Sequence, residues 1–229
     1  MTFYVVATPI GNLSDMTFRA VEILKKVDII LAEDTRVTRK LLNHFEIETK
    51  LISFHEYSDE KKYQKIFELL ESGRELALVC DAGTPAISDP GYFLIQQIKQ
   101  NLPEVKITPI PGASAITTLI SVSGVNTKEF TFLGFPPHKK GRKTFFEKLV
   151  QESSIRPIVF YESKHRIIKA IESINDILEQ DSSLERKITI GRELTKTFEE
   201  VIQGNSLEIL EYLVNNPEKI KGEFVIIIS

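Results

Sequence analysis

Eleven residues, Asp81-Ala-Gly-Thr-Pro-Ala-Ile-Ser-Asp-Pro-Gly91, carry two Asp, one Ser, one Thr, two Gly and two Pro. That is more than a turn requires. Short polar side chains can meet the polar atoms of a ligand, and Gly lets the backbone approach it closely. The apolar run Leu76-Ala-Leu-Val-Cys80 directly precedes the loop and reads as a buried strand. Tyr92-Phe-Leu-Ile-Gln-Gln-Ile-Lys99 directly follows with helical periodicity. The loop therefore sits at the carboxyl end of a parallel strand, where open α/β sheets bind ligands.

Three further loops of this kind follow expected strands: Thr8-Pro-Ile-Gly-Asn-Leu13, Pro109-Ile-Pro-Gly-Ala-Ser114 and Phe135-Pro-Pro-His138. Either all four are ordinary turns, or they line one extended crevice. No loop has the GxGxxG spacing of a dinucleotide site or the GxxxxGK[ST] of a P-loop, which disfavours NAD, FAD and Walker-type ATP binding. Asp81-Ala-Gly-Thr lacks the second Asp of the phosphatase DxDGT motif. His44, His55, His138 and His165 stand at no metal-ligand spacing, so no metal is expected. The single Cys80 excludes a disulfide framework and reads as a small buried hydrophobe at a strand end.

The elements that must position these loops alternate. Strands are expected at 3–7, 28–32, 50–53, 76–80 and 105–108, and helices at 17–26, 35–44, 59–72 and 91–100. Phe18, Val21, Ile23 and Leu24 are expected on the inner face of the first helix, and Ile66, Phe67, Leu69 and Leu70 on that of the third. Strands alternating with helices of this length imply a parallel sheet covered on both faces. A small-residue helix over 113–122 follows, and Ser123-Gly-Val-Asn126 breaks it, which sets a domain boundary between 1–122 and 123–229. The second half reads as a smaller mixed sheet with helices. Its strands are expected at 130–134, 157–161, 187–191, 197–202 and 222–228, and its helices at 142–151, 163–178 and 207–215. The strands at 187–191 and 197–202 are close enough to pair antiparallel. The closing strand has little polar relief and should be central.

Composition narrows the function classes. The 229 residues are 42% hydrophobic and 27% charged, enough for true cores. A net charge of −3 excludes a generally basic surface, so any nucleic-acid contact must be local. Met1 leads straight into the first strand, which is no signal peptide, and no apolar run approaches the ~20 residues needed to span a bilayer. A cytoplasmic protein with no membrane partner is expected.

Seven segments occur in a telling order: Thr8–Leu13, Ala32-Glu-Asp-Thr-Arg36, Asp81–Gly91, Pro111-Gly-Ala-Ser-Ala115, Phe132-Leu-Gly-Phe-Pro-Pro137, Tyr161-Glu-Ser-Lys-His-Arg166 and Gly191-Arg-Glu-Leu-Thr-Lys196. Together they resemble the RsmI-type 16S ribosomal RNA (cytidine 2′-O) methyltransferases of the tetrapyrrole-methylase superfamily. The resemblance runs from Phe3 to the last strand. It implies S-adenosylmethionine (SAM) in a cleft between two α/β domains, a homodimer, and methyl transfer to a cytidine ribose in the decoding region of 16S rRNA, within the 30S subunit. Longer members carry a C-terminal extension, whereas this sequence stops at Ser229.

By matching motif positions, the resemblance implicates Pro9, Ile10, Gly11, Gly83, Thr84, Pro85, Ala86, Ile87, Ser114 and Ala115 in holding the cofactor. Tetrapyrrole methylases have an Asp where this chain has Thr84, and Asp81 lies three residues earlier. A base for the ribose proton would come from Glu33, Asp34, Asp81, Glu162 or Glu193, with Arg36 and Lys196 as electrostatic partners. The favoured catalytic set is Glu33, Asp34, Arg36 and Asp81, because Ala32–Arg36 ends the second strand on the same sheet edge as the cofactor loops. The alternative is that Asp34 N-caps the next helix and the neighbouring charges form a surface ion pair.

His138-Lys-Lys-Gly-Arg-Lys143 is the densest basic run. Lys139, Lys140, Arg142 and Lys143 are the expected RNA-phosphate contacts, and Phe135 or Tyr161 the aromatics that could stack a base. A charge run is otherwise a solvated face. Two other functions stay open: a small-molecule methylase acting on a tetrapyrrole or corrin, and a non-catalytic RNA-binding module of ribosome assembly.

Overall fold

The structure, a computed structural model, describes residues 1–55, 59–89, 91–180 and 185–229. Pro90 of the loop singled out above lies outside the described residues. The chain divides into two compact units, Met1–Ser114 and Ala115–Ser229.

The first unit is built on five parallel strands: β1 (Thr2–Val6), β2 (Ile29–Ala32), β3 (Lys50–Ser53), β4 (Leu76–Val79) and β5 (Lys106–Ile110), in the order β3-β2-β4-β1-β5. The period-2 alternation of strand side chains sorts them onto two faces. Phe3, Ile29, Leu31, Leu76 and Leu78 pack against α3 (Glu60–Glu71) and α4 (Gly91–Asn101). Tyr4, Val6, Ile30, Ala32, Ala77 and Val79 pack against α1 (Phe18–Lys26) and α2 (Thr35–His44). The doubly covered parallel sheet expected from the sequence is thus present.

Three local readings need correction. Phe18, expected inside, is 91% exposed, because Ala20 and Leu24 take the buried face of α1. Thr17 and Asp59 are not helical but N-caps, accepting the amides of Ala20 and Lys62. The fifth strand runs on through Pro109, which an edge strand tolerates because its missing N–H forfeits no ladder bond on the open side.

The second unit carries β6 (Thr131–Phe132), β7 (Ile158–Ser163), β8 (Ile188–Arg192), β9 (Glu200–Gly204) and β10 (Glu223–Ile228), in the order β6-β7-β10-β8-β9. The β6–β7 pair is parallel and the others antiparallel, so this sheet is mixed. The closing strand β10 is central, as its unbroken apolar run predicts. One face packs on α6 (Arg142–Glu152), α7 (Ile167–Gln180) and α8 (Ser206–Asn215). On the other lies α5 (Ala115–Val122), whose Leu119 comes so close that a Cβ on Gly191 would stand 2.9 Å from it.

Residues 163–166 are not the start of a helix. The ladder with β10 extends to Ser163, and α7 begins at Ile167. The strand expected at 197–202 starts later, at Glu200. Glu193 (φ 49°) and Thr195 (φ 68°) are left-handed, and Glu199 accepts the Thr195 amide, so the connection extends to Glu199. The antiparallel pairing of β8 with β9 holds.

Candidate functional site

In the first unit, β1 and β4 are neighbours, yet the helices that follow them, α1 and α4, cover opposite faces. The chain therefore leaves the two strand ends in opposite directions. A crevice opens between such strand ends, and ligands bind there.

Three strand-end loops are tied together at this point. Thr8 and Gly83 form an isolated two-way bridge, with N···O distances of 2.9 and 3.1 Å. The buried Thr8 hydroxyl donates to Cys80 O at 3.1 Å. Thr84 Oγ1 donates to Ala113 O at 3.3 Å, which joins the loop after β4 to the loop after β5. Ala7 N donates to Ile110 O at 3.1 Å, and a Cβ on Gly112 would stand 2.9 Å from the Ala7 Cβ. Gly83 has φ +83°, a left-handed position that a Cβ disfavours. The fourth Gly/Pro-rich loop, at 135–138, belongs to the second unit.

Within the loop after β4, Ala86 (φ 69°) and Ser88 (φ 63°) are left-handed non-glycine residues. The Asp89 carboxylate holds this shape, accepting Ala86 N at 2.8 Å and Gly91 N at 2.9 Å. Such strain persists only where the surroundings over-determine it, and it clusters at functional sites. Pro9, Gly83 and Pro85 are buried, Gly11 and Ile87 are exposed, and Ile10, Thr84, Ala86, Ser114 and Ala115 are half-buried. Ala115 opens α5 in the second unit. Cys80 is inert: burial pushes its thiol up to about 12.

The carboxylates gather on the same sheet edge. Asp81 Oδ1 accepts the Asp34 N–H at 3.1 Å, linking the ends of β4 and β2. Asp34 N-caps α2 through Arg36 N at 2.8 Å and grips the Arg36 guanidinium at 2.6–3.2 Å. The alternative weighed for this segment, a cap and a surface ion pair, is therefore present. Those contacts with Arg36 hold the Asp34 carboxyl at about 2. Such a group is anionic at neutral pH and a weak base. Glu33 is exposed beside it.

The remaining carboxylate candidates are committed elsewhere, in the second unit. Burial works to raise the Glu193 carboxyl, but Lys196 and the Glu223 N–H together hold it below its usual range. Glu162 has a fully buried side chain between Arg142 and Arg166. Arg142 thus parts company with the lysines it was grouped with. Lys139, Lys140 and Lys143 are exposed, whereas the Arg142 side chain is 15% exposed and faces inward. Phe135 is 53% exposed, with its ring centroid 5.2 Å from that of Tyr161. Among the described residues, no group of three or more His, Cys, Asp or Glu is placed to hold a metal ion, and no helix is long and apolar enough to cross a membrane.

Sequence reading missed three features of this architecture. Thr8 and Asp89 act as loop pins, and only their place inside Gly/Pro-rich loops hints at it. The partnership of Arg142 with Glu162 spans 20 residues and follows no local pattern.

Comparison with known proteins agrees with the geometry. Residues 2–210 match the family model for Tetrapyrrole (Corrin/Porphyrin) Methylases. A protein named Ribosomal RNA small subunit methyltransferase I from Buchnera aphidicola subsp. Acyrthosiphon pisum is 46% identical, over 99% of this chain and 78% of its own length. A protein of the same name from Borrelia garinii subsp. bavariensis is 43% identical over 99% of this chain and 97% of its own length. The solved structure of cobalt precorrin-4 methyltransferase, a cobalamin biosynthetic enzyme, superposes with a TM-score of 0.68. It covers 99% of this chain and 94% of that one at 14% identity, a likeness of fold alone. The chain is a member of the tetrapyrrole methylase family, in the branch of the proteins named ribosomal RNA small subunit methyltransferase I.

Proposed function

We propose that the protein transfers a methyl group from SAM to small-subunit ribosomal RNA, at the ribose 2′-hydroxyl of a cytidine. The observation that carries the rRNA part of this reading is the 46% identity, over nearly the whole chain, to a protein named Ribosomal RNA small subunit methyltransferase I, and the cytidine 2′-hydroxyl follows from the motif resemblance. The three tied loops support it physically. Gly83 takes φ +83°, a left-handed conformation that favours glycine, so the wall of the crevice carries no side chain at that position. A flat base and a zwitterionic amino-acid tail suit such a wall, because backbone N–H and C=O groups can meet their polar edges. The loops after β1, β4 and β5 would hold it, through Pro9–Gly11, Gly83–Ile87 and Ser114, with Ala115 adjoining.

SAM supplies, when bound, a methyl on a sulfonium that is its own leaving group. The protein must then orient the ribose hydroxyl and take its proton. Glu33 and Asp81 are the carboxylates offered for that proton, a contribution of typically ~10²–10⁴-fold. Asp34 holds Arg36 so that its guanidinium offers fixed positive charge to the RNA backbone. Lys139, Lys140 and Lys143 neutralise further phosphates, and Phe135 offers a face to a splayed base. We also propose a homodimer that uses the open edge of β9, where Val201 (41%), and Phe198 (71%) in the connection just before the strand, are exposed.

Calorimetric titration with SAM tests the cofactor half of this reading. Stoichiometric binding is expected, and its absence would remove every methylase reading and leave an RNA-binding module. Parallel incubations of SAM with unmethylated 30S subunits and with a uroporphyrinogen test the substrate half. Label is expected in the RNA; label in the tetrapyrrole alone would overturn the assignment.

A further inference from the structure

Glu162, the penultimate residue of β7, has its side chain wholly buried, and two arginines close on it, Arg142 from 20 residues earlier and Arg166 from four residues later. Arg142 Nη2 lies 2.9 Å from Oε2, and Arg166 Nε lies 3.0 Å from Oε1. Oε1 also accepts the Ser163 amide at 2.7 Å. Each arginine has a second contact on the same stretch. Arg142 Nη1 donates to Pro137 O at 3.3 Å, and Arg166 Nη1 donates to Pro136 O at 3.4 Å.

Two successive prolines have no N–H, so only their carbonyls can anchor them. The two guanidiniums take those carbonyls, and the one buried carboxylate fixes both guanidiniums. Stability alone does not account for the arrangement, since well-packed apolar residues of similar volume often hold a core as firmly as a buried ion triad. What the triad adds is a fixed path for the segment between Phe135 and Lys139. That segment carries the exposed aromatic ring and leads into the exposed lysines.

We propose that Glu162, Arg142 and Arg166 are positioning residues for the RNA substrate. They act through the carbonyls of Pro136 and Pro137 to aim Phe135, Lys139 and Lys140, and they do not touch the RNA. The inference rests on the reading of this loop as the RNA contact.

Glu162→Gln in the full-length protein removes the charge and keeps the shape. Misplacement by about 1 Å can cost ~100-fold, so kcat/KM for 30S subunits should fall by roughly ten- to a hundredfold, mainly through KM, with SAM affinity unchanged. Glu162→Asp should recover part of the loss. The triple change Glu162→Leu, Arg142→Met, Arg166→Met separates positioning from folding, because apolar replacement of a buried triad commonly preserves stability. It should melt near the parent temperature while KM for RNA stays raised. A folded triple variant, or a folded Glu162→Gln variant, with parental KM would overturn the proposal. Hydrogen exchange reads the loop without RNA, so it tests the brace even if the RNA reading fails. Amides of Phe135 and His138–Arg142 should exchange faster in Glu162→Gln while those of β10 keep their protection. Unchanged exchange at the loop would equally overturn it.

Discussion

The Asp81 carboxylate accepts the backbone N–H of Asp34 at 3.1 Å, across 47 residues of sequence. This one bond ties the loop after β4 to the segment that follows β2, so the tied loops and the acidic segment share one edge. Asp81→Ala should free the Asp34 amide to exchange and weaken SAM binding modestly, whereas Asp81→Asn keeps an acceptor and should restore both. If proton transfer rests on Asp81, Asp81→Asn will still lose activity. Single-turnover rates with hydrogen exchange at Asp34 distinguish loop-holding from chemistry.

Asp34 gives a pH prediction with a defined sign. Its folded carboxyl lies at about 2, below the ordinary 3.8, because Arg36 donates to it. A lowered folded value stabilises the native state above the unfolded value, and that contribution is lost as pH falls from about 4 towards 2. The pair is solvent-exposed, so the effect is screened and small. Asp34→Asn retains a capping oxygen and should flatten the acid limb of the stability curve between those values, as read by urea denaturation. A steeper limb would refute the assignment.

The basic loop should divide by function. Lys139→Ala, Lys140→Ala and Lys143→Ala together should leave thermal stability and SAM affinity intact. They should lower the slope of log K against log salt for RNA by up to about 2–3. Arg142→Ala should instead destabilise by about 3–5 kcal/mol, because it leaves the buried Glu162 without one of its two arginines. Equal behaviour of all four positions would contradict the division.

That division also shows what could be read from the sequence and what could not. Alternating apolar runs revealed the parallel sheet, and the apolar Phe224–Ile228 run revealed the central place of β10, because burial on two faces leaves a continuous pattern. The start of α2 at Thr35 was legible because Asp34 is a capping residue at the cap position. Arg142 was not legible: its partner lies on another element, and one basic residue in a basic run looks like its neighbours. Ser163–Arg166 looked helical because nothing local reveals that a ladder with β10 claims Ser163 and that a turn takes the next three residues. Phe18 looked buried because it is apolar, whereas Ala20 and Leu24 take the buried face of α1. In the site, the Gly and Pro loops stood out as types, while the pins Thr8 and Asp89 emerged only from geometry.

Cys80 should behave as core. With its thiol pushed up to about 12 by burial, it should resist a thiol-specific reagent at pH 8 in the native protein and react once guanidinium unfolds it. Rapid native labelling would mean that the loop after β4 opens readily.

Gly83→Val places a β-branched residue at φ +83°, with Ile10 and Ala113 within 4 Å of its Cβ. Left-handed strain should cost about 1–2 kcal/mol. SAM affinity should be lost by more than that strain explains, as calorimetry beside a denaturation curve would show. Retained affinity would mean that the loop does not approach the ligand.

The most direct test of the central claim is transfer itself. The purified protein is incubated with SAM and unmethylated 30S subunits, and the 16S rRNA is digested and read by mass spectrometry. The account predicts one new 2′-O-methylcytidine, present only when both SAM and protein are supplied. An RNA that gains no methyl group, from a protein shown to bind SAM, would contradict it.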